Sequence, residues 1–217
     1  GELARRRPDP AQLTRFYLWV SVGGVLGGVF VGLLAPHLFD DYYELGIAVV
    51  ASLTAVGILS SQGARAPQLA RVGAAIMAFV TVCVAGGFVY KAVITHERFV
   101  FLARNFYGKL ALEDKQPQGA LQRTLFHGGI IHGFQSFHVR PPQPTTYYTR
   151  GSGLGAAMAA LDTARARAVG VIGLGSGTIA AYGRAGDRFR FYDINPLVVD
   201  IARRSFTYLA DCRAQVD

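Results

Sequence analysis

The chain has 217 residues, of which 51% are hydrophobic and 17% are charged. Soluble domains carry about 25% charged residues, so this composition does not fit an ordinary soluble domain and points to membrane segments. The formal net charge of +8 would suit a nucleic-acid partner, but Lys and Arg are scattered, and their one run, residues 5–7, precedes a hydrophobic stretch. Basic residues in that place are typical of membrane flanks, so no nucleic-acid partner is expected.

The two cysteines, Cys83 and Cys212, lie far apart, one of them inside a hydrophobic run. This spacing predicts neither a disulfide framework nor a paired-cysteine metal site. The chain begins at Gly1 without a methionine and ends at Asp217 soon after a predicted helix, so we expect it to be part of a longer protein. No secretory signal is expected, because the first apolar run is too long and lacks a cleavage site.

Three uncharged hydrophobic stretches, at about residues 16–39, 45–64 and 72–90, predict three transmembrane helices. A bilayer core needs about 20 apolar residues in a helix, and each stretch approaches or exceeds that length. Tyr17 and Trp19 would lie at one membrane interface. A buried soluble helical hairpin is the alternative for the second and third stretches.

The first predicted span should stop near Pro36, because proline removes a helical donor. Its small residues repeat at helical spacing, which would let a neighbouring helix approach closely. These residues are Gly23, Gly24, Gly27 and Gly28. Glycine is also common in membrane helices in general, so both interpretations stay open.

Residues 96–150 have a mixed, polar composition that predicts a small β-rich module. Within it, residues 99–113 contain many aromatic and aliphatic side chains around Gly108, a pattern typical of strands with a bend. Residues 121–126 and 130–137 flank a His-Gly-Gly turn and predict a hairpin.

Two histidines of that hairpin, His127 and His132, raise the question of a metal. Zinc sites use three or four protein ligands, and no third ligand at a plausible spacing accompanies the pair, so a turn histidine and a strand-end histidine are expected. The proline-rich residues 140–144 then predict a linker. Ser152 predicts the start of an alanine-rich helix that runs to about Arg165.

Residues 151–217 carry the clearest sign of a binding site. Residues 168–172 predict a buried strand, and a helix is expected to begin at Thr178 with free amide donors. Between them lies a turn whose glycines let the backbone fold tightly and approach a ligand without a Cβ clash. These glycines are Gly173, Gly175 and Gly177.

A second strand, residues 189–192, ends in Asp193, about 20 residues beyond the first glycine. An acid in that place can accept hydrogen bonds from both hydroxyls of a ribose. The order of strand, turn, helix, strand and acid predicts the first half of a Rossmann-like nucleoside-binding domain. The alternative is a glycine-rich turn in any α/β protein with Asp193 as a helix cap, although Asn195 and Pro196 already supply that cap.

Residues 171–206 read VIGLGSGTIAAYGRAGDRFRFYDINPLVVDIARRSF. They resemble the cofactor-binding half of the spermidine synthases, the polyamine aminopropyltransferases, which have a class I S-adenosylmethionine-dependent methyltransferase-like fold. Residues 125–135, LFHGGIIHGFQ, and 144–155, PTTYYTRGSGLG, together with the first hydrophobic span, are similar to the bacterial subgroup in which that domain is fused to membrane helices. The glycine turn is shared with methyltransferases, so the specific feature is its combination with the other parts.

The resemblance implies a set of residues around the cofactor's amino-acid or aminopropyl tail: Gly173, Gly175, Ser176 and Gly177. It places Asp193 on the cofactor's ribose. It implies a further set at the active site: Gln135, which matches a glutamine near the end of the family's β module, and Tyr147 or Tyr148, one of which matches a tyrosine that helps to line the site. The family's catalytic aspartate and the acid that contacts adenine would lie beyond Asp217. The catalytic residue is therefore unknown, and the chain by itself is expected to be inactive.

Ser176 departs from the family pattern. Soluble spermidine synthases usually have an aspartate there, which pairs with the cationic aminopropyl amine. Decarboxylated S-adenosylmethionine has an amine and no carboxylate at that end, so losing the anion weakens the preference for it. Both decarboxylated S-adenosylmethionine and S-adenosylmethionine stay open as co-substrates, and no metal is expected.

The function that the resemblance implies is aminopropyl transfer from decarboxylated S-adenosylmethionine to a diamine such as putrescine. The alternatives are an S-adenosylmethionine-dependent methyltransferase and a membrane transporter whose soluble domain senses a nucleoside or polyamine. Transport is less favoured, because the predicted spans carry no charged residue. The expected partners are membrane lipid and a small-molecule amine acceptor, and a homo-oligomer stays open.

Two observations disagree about orientation. Residues 5–7, Arg15, Arg65 and Arg71 would share one face, which the positive-inside rule assigns to the cytoplasm, and three spans would then place the C-terminal part outside. The cofactor, however, is made in the cytoplasm. We therefore expect a protein of the bacterial inner membrane with its soluble part in the cytoplasm.

Overall fold

A computed structural model describes residues 7–62, 67–161 and 164–217 of the chain. Helices make up 52% of the structure and strands 19%. The chain divides into two compact units, Gly1–Phe88 and Val89–Asp217. The division falls inside a long helix, shortly before the predicted boundary at residue 95. Three basic residues used to predict the orientation, Arg5, Arg6 and Arg65, lie outside the described residues.

Three long helices begin the structure: α1 (Leu13–Val29), α2 (Tyr43–Gln62) and α3 (Pro67–Arg98). Helix α1 continues through a π-helical turn, Phe30–Leu34, into the short helical segment Ala35–Leu38. The wider π turn lies beside Pro36, which has no backbone donor and whose ring would clash with the carbonyl four residues earlier. The helical path therefore passes Pro36 and ends at Leu38, close to the predicted end of the span at residue 39.

Two helical stretches, Pro10–Leu38 and Arg71–Arg98, are long and apolar enough to cross a membrane. At about 1.5 Å per residue, both exceed a hydrocarbon core about 30 Å thick. The second predicted span corresponds to α2, whose described apolar part, Tyr43–Leu59, is shorter. Its predicted last residues, 63 and 64, lie outside the described residues. The described residues thus contain two such helices rather than three, and the second predicted span stays a prediction.

The close approach of helices in the first unit involves other glycines than the sequence indicated. A Cβ at Gly46 would lie 2.9 Å from the ring of Phe88, and one at Gly57 would lie 3.4 Å from Met77 Cβ. Small residues at these two positions let α2 and α3 approach each other. A Cβ at any of the four predicted glycines of α1 would meet nothing within 4 Å among the described residues.

The β-rich module is an antiparallel sheet of four strands in sequential order. Its strands are β1 (Phe101–Asn105), β2 (Gly108–Lys115), β3 (Gln122–His127) and β4 (Ile130–Ser136). The predicted hairpin around the His-Gly-Gly turn is confirmed. The predicted bend is the turn Phe106–Tyr107. The two hairpin turns lie side by side, because Gly128 N donates to Lys109 O at 2.7 Å.

The glycine-turn part begins with α4 (Gly153–Ala160), where Ser152 Oγ accepts from Gly155 N at 3.2 Å. The predicted cap is confirmed, but the helix ends well before Arg165, because the backbone is extended at Leu161. Parallel strands follow in the order β5 (Ala168–Ile172), β6 (Arg188–Tyr192) and β7 (Gln215–Val216). The sequence predicted the positions of β5 and β6 and did not predict β7. The expectation that β5 is buried was wrong, because among its five residues only Val171 is buried and Ile172 is exposed.

The connections in this sheet differ from one another. Helix α5 (Pro196–Ser205) joins β6 to β7, and Asn195 Oδ1 caps it by accepting from Leu197 N at 3.1 Å, as predicted. The expected helix after the glycine turn is a 3-10 helix of five residues, Thr178–Tyr182. This helix ends at Tyr182, where the backbone becomes extended at Gly183, and Arg184 N then donates to the buried Asp187 carboxylate at 2.9 Å.

One hydrophobic core joins the two predicted parts, residues 96–150 and 151–217. Its buried members come from β2, β3, the glycine turn, α5 and the segment after α5. They include Leu110, Leu112, Leu125, Leu174, Val198, Ile201, Phe206 and Tyr208. Each such side chain stabilises the fold by about 1.5–3 kcal/mol when buried. The antiparallel sheet is therefore packed against the glycine turn.

A buried ion pair fixes the start of the parallel sheet. The side chains of Asp187 and Arg167 are 2% and 8% exposed. The Asp187 carboxylate accepts from the Arg167 guanidinium and from Arg167 N at 2.9 Å. These hydrogen bonds hold the pKa of Asp187 well below its ordinary value. The pair thus fastens the entry to β5 to the entry to β6.

Replacing Asp187 by Asn should lower the free energy of unfolding by about 3–5 kcal/mol, because Arg167 would be left as an uncompensated buried charge. Urea unfolding of the detergent-solubilised protein, followed by tyrosine fluorescence, measures this. Asp200→Asn is the matched control, since Asp200 is 60% exposed and 3.9 Å from Arg204. The folded pKa of Asp187 lies below the unfolded value of about 3.9, so its contribution is complete above that pH and is lost on further acidification. Equal stability of the two variants would contradict the assignment.

Candidate functional site

The glycine turn lies at the carboxyl ends of β5 and β6. Gly173, Gly175 and Gly177 have φ angles of 89°, 55° and 82°, in the left-handed region that side chains with a Cβ rarely adopt. Gly173 N donates to Tyr192 O at 2.7 Å and thereby anchors the turn on β6. In α/β folds, ligands commonly bind at the carboxyl ends of parallel strands.

The carboxylate of Asp193 links this turn to the loop after β6. Its Oδ2 accepts from Leu174 N and its Oδ1 accepts from Asn195 N, each at 2.9 Å. The structure thus brings the predicted acid onto the predicted turn. A carboxylate has about four acceptor sites, so two hydrogen bonds leave capacity for two further donors.

A cavity of about 490 Å³ opens beside the turn and Asp193. Small-molecule sites have volumes of about 300–1,000 Å³, so it can hold a nucleoside-sized ligand. Predicted site residues that line it are Tyr147, Tyr148, Gly173, Gly175, Ser176 and Asp193. Gly177 shapes the turn without lining the cavity. A second cavity of about 490 Å³, beside Arg150 and Cys212, is lined by none of the predicted residues.

Gln135 lies elsewhere, which corrects the prediction that it lines the site. Its side chain is buried, and both ends of its amide bind one residue: Oε1 accepts from Thr207 N at 2.9 Å and Nε2 donates to Thr207 Oγ1 at 2.6 Å. The amide therefore fastens β4 to the segment that follows α5. Its hydrogen-bonding groups are used within the protein.

Ser176 lines the cavity, but its hydroxyl points into the protein. Its Oγ is buried and has no hydrogen-bond partner among the described residues. It lies against Gly133 of β4, where φ is 132° and an added Cβ would be 2.2 Å from Ser176 Oγ. Likewise, a Cβ at Gly175 would be 3.0 Å from His132 O. Strand β4 therefore covers the glycine turn at contact distance.

His127 and His132, for which no function was predicted, also line the cavity. The rings of His127 and His132 have centroids 5.4 Å apart, and His127 Nε2 donates to Tyr107 O at 2.9 Å. Burial lowers the pKa of His132, the nearby His127 lowers it further, and Asp193 acts in the opposite direction. The predicted hairpin could have indicated that these two histidines are neighbours. His127 pairs with Ile130 across the hairpin, and His132 lies two residues after Ile130 and therefore on the same face of the strand.

An asparagine pair positions the first hairpin turn over the site. Asn105 Nδ2 donates to Asn195 Oδ1 at 2.6 Å, and Asn105 Oδ1 accepts from Tyr107 N at 2.9 Å. Asn195 also donates its backbone N–H to Asp193. A continuous set of hydrogen bonds therefore runs from the acid to the turn that carries Tyr107.

Comparisons with protein-family models, with curated proteins and with solved structures found no match to this chain.

Gly133→Ala should lower the free energy of unfolding by about 1–3 kcal/mol, because the new methyl group would overlap Ser176 Oγ. Ser176→Gly in the same chain should restore part of that loss, since it removes the overlapping hydroxyl. Thermal unfolding of the single and double variants measures the coupling. Gly129→Ala is the matched control, as a Cβ there would meet nothing within 4 Å. A double variant that is no more stable than Gly133→Ala would show that the contact does not limit packing.

Proposed function

We propose that the chain is part of a membrane-anchored transferase that moves an aminopropyl group from decarboxylated S-adenosylmethionine to a diamine such as putrescine. The observation that carries the proposal is the hydrogen bond from Leu174 N to Asp193 Oδ2 at 2.9 Å. It joins a glycine turn, which a ligand can approach closely, to an acid that can accept from ribose hydroxyls. The parallel pair β5 and β6 supports assigning this part to the first half of a Rossmann-like domain.

The reaction requires alignment more than covalent help from the protein. An amine nitrogen attacks the methylene carbon beside a sulfonium, so the enzyme must hold the two atoms in line and keep the amine neutral. The cavity suits this task, because the glycine turn, Asp193 and the tyrosine pair Tyr147–Tyr148 line the same space. The tyrosine rings lie with centroids 4.4 Å apart and form one wall.

Methyl transfer from S-adenosylmethionine is the second candidate, and one observation favours it. Among the described residues that line the cavity, Asp193 is the single acid, and it already accepts two backbone hydrogen bonds. The aminopropyl amine of the decarboxylated cofactor is cationic and would gain from a second carboxylate. Calorimetric titration with each cofactor separates the candidates: tighter binding of the decarboxylated form supports aminopropyl transfer, and tighter binding of S-adenosylmethionine supports methyl transfer.

The contribution of Asp193 to nucleoside binding can be measured directly. Each charge-assisted hydrogen bond contributes about 1.5–3 kcal/mol, so Asp193→Ala should weaken the binding of 5′-methylthioadenosine by roughly ten- to a few hundred-fold. The same substitution also removes the hydrogen-bond acceptor of Leu174 N. The analogue without ribose hydroxyls, 2′,3′-dideoxy-5′-methylthioadenosine, isolates the ribose contact.

In that comparison, the parent protein should bind the dideoxy analogue more weakly than 5′-methylthioadenosine, and Asp193→Ala should bind the two alike. Asp200→Ala, which changes an exposed acid of α5, is the control and should behave as the parent. If the parent bound both nucleosides with the same affinity, Asp193 would be a structural acid only.

For the membrane part, we propose three spans, with α2 as the second, in the bacterial inner membrane, and the transferase part in the cytoplasm. The apolar helices Pro10–Leu38 and Arg71–Arg98 support membrane residence. Three crossings place the two ends of the chain on opposite faces, whereas two crossings place them on the same face.

Paired reporters test this topology. A reporter fused after Asp217 should be active in its cytoplasm-dependent form only, and one fused before Gly1 in its periplasm-dependent form only. Cytoplasmic activity at both ends would show that α2 does not cross the bilayer. Periplasmic activity after Asp217 would show that the basic residues determine the orientation.

A further inference from the structure

We infer that the second cavity, beside Arg150 and Cys212, is a binding site for a phosphate monoester with an apolar body. This cavity has a volume of about 490 Å³, which lies within the range of small-molecule sites. The inference stands apart from the proposed function, because it uses none of the residues that would hold the nucleoside. It depends on the charge around the cavity, on the position of Arg150 and on the apolar wall.

Arginine supplies all the basic side chains that line this cavity among the described residues: Arg150, Arg167, Arg184 and Arg213. Asp187 balances Arg167 in the buried ion pair and lies 3.6 Å from Arg184. Asp211, in the cavity wall, is paired with Arg140. Five guanidinium groups therefore surround the cavity with two carboxylates among the described residues, and this excess of positive charge favours an anion.

The side chain of Arg150 is well placed to bind that anion. Its guanidinium lies over the ring of Tyr182, 5.6 Å from the centroid, and its Nε donates to Gln143 Oε1 at 3.4 Å. Both partners line the cavity, so the guanidinium lies in the cavity wall. This guanidinium has five N–H donors and makes no other hydrogen bond with a described residue, so four donors remain for a ligand.

The kind of anion follows from the chemistry of these cations. Guanidinium groups bind phosphate and carboxylate through paired hydrogen bonds. Arg213 adds a second guanidinium that has no ion-pair partner among the described residues. A phosphate monoester carries a charge of about −1.5 to −2 near neutral pH, whereas one carboxylate carries a single charge. The phosphate therefore matches the excess of positive charge better.

An apolar wall indicates what the phosphate is attached to. It consists of Pro142, Met158, Ala180, Tyr182 and Tyr208. The hydroxyls of both tyrosines donate within the protein, to Tyr148 O at 2.6 Å and to Phe134 O at 2.9 Å, which leaves their rings as apolar surface. A phosphate group alone is far smaller than the cavity, so we expect an aromatic or aliphatic body against this wall.

Phenyl phosphate is a suitable probe, and its binding to the natural membrane protein in detergent can be measured by calorimetric titration. The parent should bind it, and Arg150→Gln should bind it about tenfold or more weakly, because a positive charge and charge-assisted hydrogen bonds are lost. Arg203→Gln is the matched control and should behave as the parent, since Arg203 is exposed on α5 and lines neither cavity.

Other probes test the two parts of the ligand and its source. Phenol, which lacks the phosphate, and inorganic phosphate, which lacks the ring, should each bind more weakly than phenyl phosphate. Equal binding of either would overturn the corresponding part of the inference. Competition by dioctanoyl phosphatidic acid supports the site and assigns it to a lipid headgroup, whereas phenyl phosphate binding without that competition supports a soluble ligand.

Three results would overturn the site itself: no binding of phenyl phosphate, equal affinity of Arg150→Gln and the parent, or displacement of the probe by 5′-methylthioadenosine, which is expected in the other cavity. If Arg150→Gln does not fold, chemical modification of the parent decides. Phenyl phosphate should protect Arg150, but not Arg203, from phenylglyoxal, as measured by mass spectrometry of peptides. Failure to protect Arg150 would overturn the inference and leave the proposed function standing.

Discussion

The carboxylate of Asp193 is the interaction on which the candidate site depends. Its two backbone hydrogen bonds hold the glycine turn after β5 and the loop after β6 in one arrangement. Without it, Leu174 N and Asn195 N would lose a charged acceptor, and such bonds are stronger than neutral ones. The same carboxylate retains acceptor sites toward the cavity, so one side chain both builds the site and is available to a ligand.

The antiparallel sheet also helps to build the candidate site. Strand β4 lies on the glycine turn through Gly133 and His132, and the asparagine pair brings the β1–β2 turn over the same cavity. Both contacts rest on a core that is shared between β2, β3 and α5. A small module followed by a nucleotide-type turn therefore behaves as one packed unit, in which the module supplies the histidines and the parallel sheet supplies the acid.

Local patterns in the sequence predicted the elements, and long-range contacts explain what it missed. The apolar run before Gly173 and the Gly-Gly turn after His127 identified β5 and the β3–β4 hairpin, because strand and turn preferences are local. The partner of Gln135 is Thr207, 72 residues away, and nothing local to either residue indicates that pairing. Helix α3 approaches α2 at Gly46, whereas a Cβ at the four predicted glycines of α1 would meet nothing within 4 Å among the described residues. The neighbours of a helix, and not its own spacing, decide which small residues are used.

The most direct test of the account is a structure of the natural protein determined with 5′-methylthioadenosine. We expect both ribose hydroxyls within about 3.2 Å of the Asp193 carboxylate and the thioether sulfur between the glycine turn and His132. A nucleoside bound instead in the cavity beside Arg150 and Cys212, with Asp193 accepting from the backbone alone, would contradict the central claim.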